Sequence, residues 1–276
     1  MPFPDRPVRD VAECLLTVSI VTFKSDIAIL RKTLESLVAA LTGFERSLVK
    51  VFVIQNSDSN SVSLAVARIL AGYKFAIITG HGNIGFGSAH NLVLSETGRF
   101  HLILNPDIDM DPAALINAIH FMSNNRACGL VTPKAYWPDG QRQYLCKTYP
   151  AMFDLLLRGF APAFVKAWFV ERLDRYEMRT ETGEDDYWDP PIVSGCFMFF
   201  NGAVLRTLKG FDPSYFLYFE DFDLSLRASQ ITRIAYVPKV KVIHAGGHAA
   251  KKGLKHIRLF VQSARTFYQR HGLRFF

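Results

Sequence analysis

Leu15–Phe23 (LLTVSIVTF) runs almost directly into Ser25–Leu41 (SDIAILRKTLESLVAAL), and the reading of these two segments decides the fold. The first is a nearly continuous apolar run of strand length, as a strand buried on both faces requires. In the second, Ile27, Leu30, Leu34, Leu37, Val38 and Leu41 recur at three- and four-residue spacing, so one helix face collects them. Ser25 or Asp26 can cap that helix. The alternation continues outward. Val49–Ile54 reads as a second strand, Val62–Leu70 as a short helix and Phe75–Thr79 as a third strand. A Gly-rich turn, a helix around Ala89–Ser95 and a strand at Phe100–Leu104 follow. Strands and helices alternating at this interval predict an α/β fold, a mostly parallel sheet with helices on both faces.

The second half is less regular. Pro112–Met122 reads as a helix, Gly129–Val131 as a strand and Phe153–Tyr176 as one long amphipathic stretch. Glu181–Asp189 is an acidic loop, Ile192–Phe200 a strand, Glu220–Gln230 a helix and Ile234–Ile243 one or two strands broken at Pro238. A last helix covers Leu254–His271. No repeat or long linker divides the 276 residues, so one domain is expected.

Composition narrows the class. At 49% hydrophobic and 21% charged residues the chain is globular rather than disordered. Its longest uncharged apolar run, near Pro190 to Phe200, falls short of the roughly 20 residues of a spanning helix. The first residues lack an apolar signal core, which predicts a cytoplasmic protein. Cys14, Cys128, Cys146 and Cys196 are widely spaced and point to reduced, buried thiols. The net charge of +7 comes wholly from the tail, where Lys251 to Phe276 holds seven Lys/Arg and no acid. A neutral body with a basic, aromatic tail does not fit nucleic acid. It fits peripheral contact with a membrane surface or an anionic substrate, or an amphipathic helix packed on the body.

Four clusters can carry chemistry. Asn105-Pro106-Asp107-Ile108-Asp109 follows a strand whose carboxyl end is where parallel α/β sheets bind ligands. Two acids there can hold a hard divalent cation that in turn binds diphosphate, although an Asp turn before a helix has the same pattern. Glu220, Asp221 and Asp223 lie among aromatics, which raises a carboxylate pKa as a general base requires; helix capping would need only one of them. His244 ends a strand before glycines and is either a metal ligand or an ordinary core histidine. Gly80-His81-Gly82-Asn83-Ile84-Gly85 fits the dinucleotide fingerprint, with Asp107 at the ribose-acid distance, so a nicotinamide or flavin oxidoreductase is the rival reading. Against that rival, the fingerprint falls on the third strand rather than the first.

The segments TVSIVTFKS, FVIQNSD, GNIGFGSAHN, ILNPDID, SGCFMFF, GFDPSYFLYFEDFDLSLR and VIHAGG resemble, in this order, those of family 2 glycosyltransferases. The similarity is greatest to the rhamnosyltransferase-like subgroup of bacterial surface polysaccharide synthesis. The resemblance implies a GT-A fold over residues 1–276, with a nucleotide-sugar half at about 15–110. An acceptor and catalytic half at about 111–248 and the basic helix at about 249–276 complete it. It implies an inverting, metal-dependent transfer using Mg²⁺ or Mn²⁺. The donor would be dTDP-rhamnose or a UDP-sugar, and the acceptor a glycan or lipid-linked oligosaccharide. By resemblance Asp107 and Asp109 hold the metal, with Asp109 the direct ligand and His244 completing the site. Asp221 becomes the base and Glu220 its acceptor-orienting neighbour. Thr22, Phe23, Lys24, Asn83, Gly85, Phe86 and Asn91 line the nucleotide pocket. Gln55-Asn56 stands where the family has an Asp before Asn; Gln55 keeps an amide that can bond a pyrimidine edge but carries no charge.

Overall fold

The computed structural model describes residues 14–246 and 254–275. The first half consists of β1 (Leu16–Thr22), α1 (Ile27–Ala40), β2 (Val49–Gln55), α2 (Asn60–Ile69), β3 (Lys74–Ile78), α3 (Phe86–Asn91) and β4 (Phe100–Leu104). The middle runs through β5 (Ile108–Met110), α4 (Ala114–Asn124), β6 (Cys128–Tyr136), β7 (Arg142–Gln143), β8 (Cys146–Lys147), α5 (Met152–Phe160), α6 (Ala163–Trp168) and α7 (Val170–Tyr176). The chain then forms β9 (Tyr187–Trp188), β10 (Ile192–Val193), β11 (Phe197–Asn201), α8 (Gly202–Thr207), α9 (Glu220–Ala228), β12 (Arg233–His244) and α10 (Leu254–His271).

The main sheet has the order β3-β2-β1-β4-β11-β6-β12-β5. Its first four strands are parallel, β11 runs antiparallel between β4 and β6, and β12 returns parallel to β6. All seven residues of β1 are buried, as the apolar run predicts. The two polar residues of that run are not exceptions to burial but partners in it. Thr17 bonds His101 Nδ1 at 2.7 Å, while Ser19 bonds His90 Nδ1 at 2.7 Å and His101 Nε2 at 3.0 Å. Burial lowers the His101 pKa to about 3 and that of His90 well below its usual value, so both rings stay neutral. Asp26, not Ser25, caps α1, accepting from the Ala28 and Ile29 amides.

Three readings shift. The long stretch at Phe153–Tyr176 divides into α5, α6 and α7: Pro162 separates the first two, and Phe169 leaves the helical conformation between the last two. The expected strand Ile192–Phe200 splits into β10, which pairs with β8, and β11, with Ser194-Gly195-Cys196 between them. β12 is one strand whose register slips between Val237 and Lys241, beside Pro238.

The tail helix packs on the body. Lys251 and Lys252 lie outside the described residues. Phe267 of α10 is fully buried in an aromatic cluster with Tyr215 and Phe219, and Phe260 and Tyr268 pack against it. Polar ties flank that cluster: Ser263 donates to the Leu217 carbonyl, Tyr218 bonds His256, and Arg270 pairs with Asp212. His271 reaches buried Asp223 at 2.8 Å, which also accepts from Arg227 at 2.8 Å. Asp223, one of the expected acidic cluster, therefore locks α10 onto α9. Among the described residues no helix is long and apolar enough to cross a membrane.

Candidate active site

β4 and β12 end, and the antiparallel β11 begins, at one side of a cleft of about 820 Å³, and the start of α9 forms another wall. Lining it are Asp107 and His244 on the sheet side, and Glu220 and Asp221 from α9. The strap Ser194-Gly195-Cys196 joins the two. The Gly195 amide donates to Asp221 Oδ2 at 2.8 Å, and the Cys196 carbonyl accepts from the Asn105 amide at 2.9 Å. The break in the expected strand thus positions both walls.

The acids of α9 stand on unusual backbone. Tyr218 and Phe219 have φ of 71° and 65°, a left-handed conformation that costs free energy in bulky residues. Buried Phe219, clamped by α10, is the residue from which the helix begins, and it offers no side-chain cap. Asp221 instead accepts two amides, from Gly195 and from Phe222 at 3.0 Å. Burial raises the pKa of Asp221, with those amides opposing the rise. Burial and the adjacent Asp221 charge raise Glu220 further, and Glu220 Oε2 is buried without a partner. Both carboxyls are therefore held above the usual carboxylate range, Glu220 more so than Asp221, and they titrate as a pair.

Across the cleft, Asp107 Oδ1 is buried without a hydrogen bond, 3.4 Å from His244 Nε2. The other ring nitrogen, Nδ1, is held at 3.0 Å by Gln143 Oε1. Burial disfavours the His244 imidazolium, but the neighbouring Cys196 sulfur and Asp107 outweigh burial and raise its pKa to about 10. A Cβ on Gly246 would fall 2.0 Å from Asp107 Oδ2, so the glycine leaves the carboxylate its place. Among the described residues no three His, Cys, Asp or Glu gather as a metal cage. One carboxylate and one imidazole, whose Nε2 proton a bound cation would displace, fit a divalent cation that takes its other ligands from a diphosphate and water.

The structure does not bring Asp109 to this place. Asp107 lies in the turn before β5, whereas Asp109 is within the strand between buried Ile108 and Met110. Strand alternation turns it to the exposed face, opposite Ile243, and it does not line the cleft. The expected convergence of Asp109 with Asp221 and His244 is therefore corrected to Asp107.

The expected nucleotide-side residues divide similarly. Phe86 lines the cleft. Thr22, exposed Phe23 and Lys24 occupy the carboxyl end of β1, with Lys24 at φ 48° and its amide bonded to Ser57. The Asn56 side-chain amide donates to the Gly85 carbonyl, and Asn83 accepts from the Gly85 amide. Gln55 is fully buried; its carbonyl accepts from the Ser59 amide at 2.9 Å and its NH₂ donates to Ser63 at 2.8 Å. Both ends serve the start of α2, which removes Gln55 as a base-edge contact. Asn91 likewise uses both ends on the Phe211 backbone, at 2.7 and 2.9 Å, and is a structural latch. Gly195, Gln143 and Gly246 were absent from the expected set. The SGC and AGG segments contained two of them, but nothing near Gln143 announced a partner 101 residues away.

The Gly80–Gly85 turn follows β3, the edge strand, and leads into the six-residue α3, a poor match to a dinucleotide fingerprint at a central strand. Its last glycine has another task. Gly85 has φ 92°, and a Cβ there would lie 2.4 Å from the Phe216 carbonyl oxygen, which also accepts from the Phe86 amide. Gly85→Ala is expected to push the 216–219 segment outward, lowering stability by about 1–3 kcal/mol and turnover along with it. Chemical denaturation alongside a turnover assay checks both.

Residues 13–259 match the family described as glycosyltransferase like family 2. An N-acetylglucosaminyl-diphospho-decaprenol L-rhamnosyltransferase of Mycobacterium tuberculosis is 23% identical over 229 residues, covering 78% of this chain and 73% of its own. The rhamnosyltransferase WbbL of Escherichia coli K12 is 26% identical over 209 residues, covering 72% and 74%. Among solved structures, a Pyrobaculum calidifontis mannosyltransferase in complex with GDP-Man and Mn²⁺ superposes with a TM-score of 0.60 at 19% identity. It covers 94% of this chain, which spans 65% of that one. Staphylococcus aureus TarS 1–349 with UDP-GlcNAc gives 0.60 at 15% identity, covering 92% and 66%. The fold is GT-A, nothing in these likenesses supports an oxidoreductase, and the chain belongs to glycosyltransferase family 2.

Proposed function

We propose that this protein is an inverting glycosyltransferase that moves L-rhamnose from dTDP-rhamnose onto a lipid-linked glycan acceptor. The observation that carries the reading is a single cleft with Asp221, held by the Gly195 and Phe222 amides, on one wall and an unsatisfied Asp107 beside His244 on the other. The acceptor hydroxyl loses its proton to Asp221 as its oxygen bonds the anomeric carbon. The bond from that carbon to the diphosphate breaks on the opposite face, and the nucleoside diphosphate departs. Glu220 orients the acceptor. Asp107 and His244 would hold Mg²⁺ or Mn²⁺, which supplies charge for the leaving diphosphate. The two curated relatives support the sugar, and the mycobacterial one a lipid diphosphate acceptor. The basic α10 favours work beside an anionic membrane, with exposed Val261 and Phe275 available to it.

A thermal-shift panel tests the donor. We expect dTDP-rhamnose with Mn²⁺ to stabilise the protein, and NAD to leave its melting unchanged. Stabilisation by NAD, and by no nucleotide sugar, would reverse the reading.

A further inference from the structure

The cleft has a third wall that the proposed chemistry does not use. Lys147 of β8, Arg158 of α5 and Arg179, just beyond α7, converge on one carboxylate, Glu177. Arg179 is close at 2.7 Å and also meets Asp174 at 3.1 Å. Lys147 and Arg158 stand off at 3.6 Å each, beyond the distance of a strong charge-assisted bond. A fourth cation, Arg142, lines the same cleft with no ion pair among the described residues. Its Nη2 donates only to the Thr182 carbonyl and the Tyr236 hydroxyl, and its Nε is buried without a partner. These four cations line one wall around Glu177, while the other cleft acids, Asp107, Glu220 and Asp221, stand on the remaining walls. Burial, and then the Arg158 charge, lower the Lys147 pKa to about 7, as expected of a buried ammonium with too little anion around it.

We propose that Lys147, Arg158 and Arg179, with Arg142, form an acceptor-side subsite for a diphosphate, the linkage of a prenyl-diphosphate-borne glycan. This rests on the glycosyl-transfer reading and names its acceptor class. Guanidinium forks together with an ammonium match a multi-oxygen anion better than a neutral sugar. The position suits the acceptor and not the donor. Lys147 pairs with Ile192 of β10, whose neighbour Val193 bonds Ser225 of α9, the helix that carries Asp221. Asp107 and His244 are held from β5, β7 and β12 on the sheet side. The surroundings also suit an amphiphile. Leu155 of α5 lines the cleft, and Lys166 of α6 donates to the Arg158 carbonyl at 2.8 Å. On that α6, Phe164 and Trp168 are 64% and 78% exposed and pack edge-on against each other, an apolar surface on the helix next to α5 that a prenyl chain can cover.

The test is calorimetric titration of the full chain with geranyl diphosphate, with and without saturating dTDP and Mn²⁺. We expect binding that dTDP does not displace, and an affinity loss of about tenfold or more in Arg158→Gln/Arg179→Gln, from two lost charge-assisted contacts. Both side chains are about half exposed, at 50% and 44%, so the fold should tolerate the change. Unaltered dTDP binding by the variant verifies that. Absence of geranyl diphosphate binding, its displacement by dTDP, or equal affinity in the double variant would each overturn the subsite. Failure of the wild-type chain to bind any nucleoside diphosphate would instead count against the glycosyl-transfer reading.

Discussion

Asp221→Asn should lower turnover by about 10²–10⁴-fold, roughly 3–5 kcal/mol of barrier, while leaving nucleoside diphosphate binding intact. The amide keeps the shape of the carboxylate and an oxygen for the Gly195 amide, but it cannot take a proton from the acceptor. The NH₂ of the new amide faces the Phe222 amide, which donates to the second carboxylate oxygen in the native protein, so melting curves are needed to separate activity from stability. Because burial raises the pKa of both Glu220 and Asp221, the native state binds more protons than the unfolded chain between the ordinary carboxylate pKa and the raised ones. Stability contributed by the pair therefore falls as pH rises through that window, a pH dependence that Asp221→Asn should reduce. Turnover of the wild type should run the other way, declining on the acid side with an apparent pKa above that of a free carboxylate and belonging to the pair. Steady-state kinetics against pH, with melting curves of both proteins, checks all three outcomes. Near-normal turnover in Asp221→Asn would remove the base.

The second large effect separates two acids that look equivalent in the sequence. Asp107→Ala should abolish cation-dependent binding of the nucleoside diphosphate, and Asp109→Ala should leave it near wild type. A ligand at about 100 times its dissociation constant stabilises a protein by about 2.7 kcal/mol, and Asp107→Ala should forfeit most of that. Asp107 has an unsatisfied oxygen inside the cleft, whereas Asp109 faces solvent beside Ile243. Thermal shifts with dTDP or UDP, with and without Mn²⁺, distinguish the two. Equal losses in both variants would return Asp109 to the site.

Much of this was legible in the sequence, and where it failed the cause was tertiary. The strand–helix alternation through Leu104 and the bounds of α10 follow from periodicity, which depends on local burial. α3 begins at Phe86 rather than near Ala89 because the Phe86 amide is taken by Phe216, far along the chain. The acids of α9 were visible as too many carboxylates for one cap; their left-handed approach through Tyr218 and Phe219 was not, because α10 imposes it. Asp109 was expected at the metal by family resemblance, but β5 begins at Ile108 and turns Asp109 to the exposed face while Asp107 stays in the turn. Gln55 looked like a nucleotide contact because an amide suits a base edge, and Asn91 because of the family resemblance. They are equally suited to backbone, and only coordinates reveal which they meet.

The most direct measurement is anomalous diffraction at the manganese edge from crystals grown with Mn²⁺ and a nucleoside diphosphate. The account predicts one peak in coordination range of both Asp107 and His244, with the diphosphate on it and Asp221 across the same cleft. A peak on Asp109, or a diphosphate bound away from Asp107 and His244, would contradict it.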